Sequence, residues 1–196
     1  MRYAADHKAQ ARQRIVASAA RRFRLDGYEA TALGDIMSDV GLTVGGFYAH
    51  FGSKEELFAE AIAVAGRQAL LDRTPDPEPE GPQWVGAFVA GYLSRTHLDD
   101  RADGCPIAAL SGDVTRAGAL PRSSYRDGVD CFIDVLTAHL DGPPEQRRPT
   151  ALAVMSLCVG ALSIARAGLA PAASEALFEA CRKAAEQLVR GDSRQL

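Results

Sequence analysis

The sequence predicts an all-α protein, in which an N-terminal three-helix head with a helix-turn-helix motif precedes a larger helical body. Apolar residues recur three and four positions apart along most of the 196 residues, which is the spacing of amphipathic helices. Glycine and proline divide this pattern into about nine helical stretches, and no stretch alternates convincingly as a strand does. The composition, with 47% hydrophobic and 24% charged residues, is that of an ordinary globular protein.

The first predicted helix begins near Asp6 and carries Ile15, Ala19 and Phe23 on one face. We expect it to end at Gly27, because glycine readily adopts the left-handed conformation that follows a helix.

The stretch TALGDIMSDVGLTVGGFYAHF, residues 31–51, predicts two short helices joined by a tight turn. Thr31 is the expected N-cap of the first helix, Gly41 ends it, and Thr43 caps the second. Two short helices joined by a glycine-bearing turn of about 3–4 residues form a helix-turn-helix motif, whose second helix enters the DNA major groove. The residues expected to face the core are Leu33, Ile36, Met37, Val40, Phe47 and Phe51.

A fourth helix is expected to open at Ser53, where Ser53 and Glu56 have the spacing of a capping box. Residues 74–82, TPDPEPEGP, contain four prolines and predict a loop between this connecting helix and the body. We therefore expect a DNA-binding domain over residues 1–54, followed by the connector and a second domain over residues 55–196.

The body is predicted to contain five further helices. Aromatic residues four positions apart mark the first of them, and proline is tolerated in the first turn of the second. The expected ranges are 83–97, 104–115, 122–140, 149–165 and from 171 onward, with a break at 141–144.

Residues 149–165, PTALAVMSLCVGALSIA, carry no charge over 17 positions. The run is somewhat shorter than the roughly 20 residues of a membrane span and contains serine, threonine and glycine. We expect a helix buried on two sides, by the core of the body and by a second subunit. The alternative is a core helix of a monomer.

Charge is distributed unevenly along the chain. Residues 1–54 hold eight lysines and arginines against five acidic residues, whereas the remainder holds fourteen against twenty. This asymmetry fits a DNA-facing head on an acidic body. The alternative is that these arginines form only the solvated face of the first helix.

The segment from Ile15 to Ala61 resembles the TetR/AcrR family of bacterial transcriptional regulators. The resemblance rests on an ordered set of motifs, FRLDGYEAT followed by DVGLTVGGFYAHFGSKEELFAEA. It implies an all-α homodimer that binds a pseudo-palindromic operator, usually as a repressor, and is released by a small molecule. It also implies that the last two helices pair with those of a partner in a four-helix interface.

Residues that open the second helix of the motif are candidates for contacts with base edges. Val44 can touch a thymine methyl group, and glycine at positions 45 and 46 allows close approach. The family often has a polar or basic residue at the position of Val44, so we expect DNA shape to supply part of the specificity. The resemblance implies phosphate contacts for Thr31, Tyr48, His50 and Lys54; Arg12 is a further candidate, and His50 alternatively packs in the head. The complete set of candidates is Thr31, Thr43, Val44, Gly45, Gly46, Tyr48, His50 and Lys54.

An apolar cavity in the body is the expected ligand site, with plain core filling as the alternative for each candidate residue. Gly104-Cys105-Pro106 resembles a Gly-Cys motif found in part of the family, some members of which sense electrophiles through the cysteine. Cys105 lies at an expected helix start, which favours a reactive thiol, although cysteine is also a common small buried residue. The candidate residues are Trp84, Phe88, Tyr92, Cys105, Leu110, Phe132 and Met155.

Other functional classes have less support in the sequence. No spacing of the four histidines or four cysteines predicts a metal site, and no nucleophile elbow or phosphate loop predicts an enzyme, so we expect no catalysis and no cofactor. The first residues contain no apolar stretch of a signal peptide, so we expect a cytoplasmic protein without a membrane partner. A nonspecific DNA binder and a ligand-binding protein with a vestigial head stay open as alternatives.

Overall fold

A computed structural model describes residues 2–76 and 79–191, with side chains from residue 7 onward. The described residues form helices and no strands, which confirms the all-α prediction. The ten helices are α1 (Arg2–Asp26), α2 (Leu33–Asp39), α3 (Val44–Phe47), α4 (Lys54–Leu71), α5 (Gly81–Tyr92), α6 (Arg95–Asp99), α7 (Pro106–Val114), α8 (Ala119–Ala138), α9 (Pro144–Arg166) and α10 (Pro171–Arg190).

Two compact units divide the chain. The first comprises the chain up to Ala69 together with residues 101–128, and the second comprises residues 70–100 and 129 onward. The domain boundary expected after residue 54 marks the end of the DNA-binding motif. The compact units are instead defined by which residues pack together, so the first unit extends beyond that boundary. Part of the expected loop at 74–82, namely residues 77 and 78, lies outside the described residues.

The core of the first unit is built from the apolar faces of α1–α4, to which α7 adds Leu110 and Val114. Three aromatic rings contact one another in this core, where the half-buried Tyr28 packs against two buried rings: Phe58 is 4.9 Å from Phe23, edge to face, and 4.6 Å from Tyr28. Edge-to-face and tilted arrangements at these distances are favourable beyond the area that they bury. Most residues expected at the core of the motif are buried here, and Leu33 packs against them half-buried; the buried ones are Ile36, Met37, Val40, Phe47 and Phe51.

Two helix limits in the N-terminal half differ from the expected ones. α1 begins at Arg2 rather than near Asp6. Ala32, not Thr31, is the N-cap of α2, and it makes no side-chain capping bond. The Thr31 hydroxyl instead donates to the Gly27 carbonyl oxygen at 2.7 Å, so this threonine closes the turn after α1. Sequence spacing cannot distinguish these two uses of a threonine hydroxyl.

The helix expected over residues 83–97 is broken in the structure into α5 and α6. Leu93 leaves the helical conformation, with φ −92° and ψ 60°, and the Arg182 guanidinium donates to its carbonyl oxygen at 2.7 Å. Ser94 then caps α6 by accepting from the backbone N–H of His97. An arginine distant in the sequence thus satisfies a carbonyl that a continuous helix would have used.

Three further helices have shifted ends. α7 covers residues 106–114 instead of 104–115, and α8 covers 119–138 instead of 122–140. α9 already begins at Pro144, so that Pro149, the expected first residue, lies inside it. Proline at the first position of α9 and α10 loses no hydrogen bond, because the first N–H groups of a helix have no partner within it.

Candidate nucleic-acid interface

The turn between α2 and α3 has the hydrogen bonds of a Schellman motif. The N–H of Leu42 donates to the Met37 carbonyl at 2.9 Å, and the N–H of Gly41 donates to the Ser38 carbonyl at 3.0 Å. Gly41 has φ +71°, a conformation that costs glycine least. Thr43 is extended and precedes the first residue of α3, as expected, although its side chain makes no capping bond.

The second helix of the motif is divided sharply into a buried and an exposed side. Phe47 and Phe51 are 0% and 2% exposed, and their rings stack 5.5 Å apart. On the other side, Val44 and Tyr48 are 46% and 66% exposed. The residues at this exposed side, which we call the recognition surface, are Leu42, Thr43, Val44, Gly45 and Tyr48.

The candidates for phosphate contact have different surroundings. Thr31 is 2% exposed and its hydroxyl is bonded inside the head, so we leave its side chain out of the proposed contacts. His50 is half-buried, and its Nδ1 is buried without a hydrogen bond to the described residues. The Lys54 ammonium lies 4.4 Å from the centre of the Tyr28 ring and donates to the Tyr28 carbonyl. Because an ammonium has three N–H donors, this bond leaves capacity for a phosphate.

The start of α4 carries the predicted capping box. The Ser53 hydroxyl accepts from the N–H of Glu56 at 3.0 Å. The Glu56 carboxylate accepts from the N–H of Gly52 at 2.7 Å, one residue before the position that a standard box uses. Both bonds orient the loop that leads from α3 into α4.

Several arginines of α1 hold the head together. Arg22 forms two bonds with Asp39, one of them 2.6 Å long, and Ser18 donates to the same carboxylate at 2.8 Å. These bonds lower the pKa of Asp39 to about 2. Arg14 donates to the Val40 carbonyl at 2.7 Å, and Arg12 pairs with the carboxylates of Glu56 and Glu60 on α4. These three arginines therefore join α1 to α2 and α4, and they are not simply a solvated basic face.

The second unit contains most of the residues expected around a ligand. Trp84 and Phe88 stack 5.1 Å apart, and Phe132 of α8 lies 5.5 Å from Phe88 and 5.8 Å from Tyr92. All four side chains are at most 2% exposed, so they form a continuous packed cluster. Met155 is half-buried on α9 of the same unit.

Cys105 and Leu110, the two remaining ligand-site candidates, belong to the first unit. Leu110 lies in the core of that unit. Cys105 is 5% exposed and precedes the first residue of α7, as expected, without a side-chain capping bond. The structure thus does not bring the seven candidates together in one unit.

A groove of about 250 Å³ runs between α5 and α10 of the second unit. The small residues Gly86, Ala90 and Ala185 leave it open, and Val85 and Val89 contribute apolar surface. Arg182, Glu186 and Arg190 line its α10 side. No residue of α10 was among the sequence-based candidates, because a groove between two distant helices leaves no local pattern.

α9 exposes apolar residues along one side. Leu152 and Ile164 are 41% and 54% exposed, although α9 packs against α10 on another side. By length and composition alone α9 would be able to cross a membrane, and only 33% of its most apolar window is buried. This exposed apolar surface of α9 is available for contact with another molecule.

Two residues with a clear place in the structure, Leu42 and Arg166, were not identified by sequence reasoning. Leu42 belongs to the recognition surface, but its position next to the turn glycine reveals no orientation. Arg166 donates to the carbonyls of His97 at 2.6 Å and Asp100 at 2.9 Å, and so holds α6 to the end of α9. In the sequence, Arg166 stands out only as the charged residue directly after the uncharged run 149–165.

Known transcriptional regulators resemble this chain in sequence and in fold. The family model for bacterial regulatory proteins of the tetR family matches residues 15–61. The HTH-type transcriptional regulator Rv0196 of Mycobacterium tuberculosis is 31% identical over 166 residues, covering 79% of this chain and 84% of that protein. LmrA of Bacillus subtilis, another HTH-type transcriptional regulator, is 42% identical over 111 residues, which are 53% of this chain and 57% of LmrA.

The match to the B. subtilis regulator YxaF is 28% identical over 110 residues and spans 58% of that relative's length. Among solved structures, a TetR transcriptional regulator from Chloroflexus aurantiacus superposes with a TM-score of 0.77 at 23% identity, covering 94% of this chain and 96% of that one. Reduced NemR of E. coli superposes with a TM-score of 0.74 at 18% identity, covering 90% and 95%. These structural likenesses concern the fold.

Proposed function

This chain belongs to the TetR family of bacterial regulatory proteins, and from that premise we propose that it is a repressor released from its operator by a small molecule. It is a DNA-binding transcriptional regulator. The finer proposal is that a homodimer binds a pseudo-palindromic operator in the cytoplasm. Two heads related by a twofold axis would read two half-sites about one helical turn or more apart.

The exposed recognition surface is the observation that carries the DNA part of this proposal. Two backbone hydrogen bonds and a left-handed glycine define the conformation of its turn. We propose that Thr43, Val44, Gly45 and Gly46 face base edges. The proposed phosphate contacts are Tyr48, His50 and Lys54, of which Tyr48 is the most exposed.

The exposed apolar side of α9 supports the proposal of a dimer. Leu152 and Ile164 are large apolar residues that water contacts in a single chain. Pairing α9 and α10 with their copies would cover them, as the family resemblance implies.

We propose that an effector binds to the second unit. Two places there support this proposal: the aromatic cluster around Phe88, and the groove between α5 and α10. The aromatic cluster is closely packed, so a ligand would have to displace side chains, whereas the groove is already open. An effector would release DNA by favouring a state of the dimer whose head spacing no longer fits the operator.

Selection of bound duplexes from a random pool, at near-physiological salt, tests this function. The full-length protein is expected to enrich an inverted repeat, which would also lead to the controlled genes. A nonspecific binder would enrich no sequence and would bind with steep salt dependence. A folded protein that enriches nothing would contradict the proposal.

A further inference from the structure

The recognition surface lacks the side chains that read guanine and adenine best. Bidentate readout of these bases uses arginine, lysine, asparagine or glutamine, and none of these occurs between Gly41 and His50. The nearby Arg14 and Arg22 are bonded to Val40 and Asp39 within the head. Direct readout by this surface is therefore left to hydroxyl groups and to apolar contact.

Val44 is the exposed aliphatic side chain of α3. It is 46% exposed and lies in the first turn, the part of a recognition helix that contacts base edges. Gly34 of α2 faces its Cγ2, and because glycine has no side chain, α2 does not cover Val44 from that side. An apolar group presented in the major groove has one distinctive base partner, the 5-methyl group of thymine.

Gly45 provides an independent observation on the same surface. Its φ is not positive, and an added Cβ would come no closer than 4.0 Å to another atom, the Thr43 Oγ1. Neither backbone conformation nor packing within the head requires glycine, which is a weak helix former. Because Gly45 lies beside Val44 at the exposed start of α3, its missing side chain would allow the edge of a base to approach the backbone closely.

We propose that this protein reads its operator through thymine methyl groups, with Val44 as the contacting side chain and Gly45 leaving room for the base edge. The inference rests on the proposed function, since it names the chemical feature that the recognition surface selects. Each half-site then contains at least one thymine whose methyl group is buried against Val44.

Replacement of thymidine by deoxyuridine tests the contact, because the two differ only by the methyl group. The probes are duplexes enriched from the random pool, with each thymidine of the repeat replaced in turn in both half-sites. Burial of one methyl group corresponds to about fourfold in affinity, so the critical pair of replacements should weaken binding roughly fifteenfold. The same pair should have almost no effect on Val44→Ala, whereas the control Leu71→Ala, at an exposed position of α4, should retain the full loss.

Other outcomes would overturn the inference. An equal loss in the wild-type protein and in Val44→Ala would mean that Val44 does not make the contact, and that the methyl group acts through another side chain, such as Leu42, or through DNA stiffness. No loss at any thymidine, in a protein that does enrich a repeat, would leave the proposed function intact and remove the inference alone. Failure to enrich a repeat would remove both.

Gly45→Ala tests the close approach, with Gly66→Ala in α4 as the matched control. An added Cβ at Gly66 would meet nothing within 4 Å, and alanine should stabilise either helix. We expect both variants to melt at or above the wild-type temperature, and only Gly45→Ala to bind the selected duplex about tenfold or more weakly. Wild-type affinity of Gly45→Ala would overturn the close approach.

Discussion

At the scale of single residues, buried polar groups connect segments that are distant in the sequence. The Nδ1–H of His97 donates to the Tyr92 carbonyl at 2.8 Å, and its ring lies 4.6 Å from the Tyr92 ring, edge to face. Burial, and then the charge of Arg73, lower the pKa of His97 to about 3. The imidazole is therefore neutral in the folded protein at physiological pH.

His97 makes stability depend on pH in weak acid. In the unfolded chain its pKa is near 6.5, so the unfolded state binds the proton first as the pH falls. The stability that the neutral ring contributes is complete above pH 6.5 and is lost progressively toward pH 3. We expect the free energy of unfolding to fall by up to about 1.4 kcal/mol per pH unit in this window.

The measurement is urea unfolding of the wild-type protein and His97→Asn between pH 7 and pH 5. Asparagine can keep the donor to Tyr92 but does not titrate, so the variant should have the shallower slope. Equal slopes would contradict the assignment of this pH dependence to His97.

At the scale of secondary structure, helix ends position the recognition surface. The Schellman turn after α2 orients the entry to α3, and the capping box of Ser53 and Glu56 orients the exit into α4. α3 is only four residues long and has no stability of its own, because a single turn does not offset the cost of helix nucleation. Its orientation depends on these flanking ends and on Phe47 and Phe51 in the core.

Ser53→Ala should destabilise the protein by about 1 kcal/mol, because the first turn of α4 loses its cap. Ser123→Ala, at an exposed position inside α8, is the matched control and should change stability by less than about 0.5 kcal/mol. Denaturant unfolding of both variants provides the comparison. Indistinguishable midpoints would mean that the capping bond contributes nothing to the fold.

At the scale of the whole molecule, charged side chains stabilise the head, whereas exposed apolar side chains on α9 are available for contact with a second copy. Arginines of α1 stabilise the head through ion pairs and carbonyl bonds, which leaves the recognition surface without positive side chains. α9 leaves Leu152 and Ile164 exposed, a surface that a second copy would bury. The proposed dimer would cover this side of α9 and present two heads to the operator.

Leu152→Glu combined with Ile164→Glu is expected to convert a dimer to a monomer, because four carboxylates would be brought into an apolar interface. Sedimentation should show the wild-type protein at about twice the chain mass of 20.8 kDa, and the variant near that mass. Leu120→Glu, at a position 60% exposed on α8, is the control and should stay dimeric. A monomeric wild-type protein would contradict the dimer, and a dimeric double variant would contradict this interface.

Local patterns were sufficient for much of the fold. The all-α class, the turn at Gly41, the cap at Ser53 and the burial of Phe47 and Phe51 follow from glycine, capping residues and helical spacing, all of which act within a few residues. The same patterns identified Thr43 through Gly46 as the start of the second helix of the motif. These features are confirmed because neighbours along the chain determine them.

The sequence alone therefore determined the helices, the helix-turn-helix motif and the family of this protein. Only the tertiary structure decided that the Thr31 side chain is buried and that Arg22 binds Asp39. It also decided that α5 ends at Tyr92, where the Arg182 guanidinium donates to the carbonyl of the next residue. It also decided that aromatic residues expected around a ligand pack against one another. Each of these outcomes depends on groups that are distant in the sequence and meet only when the helices pack.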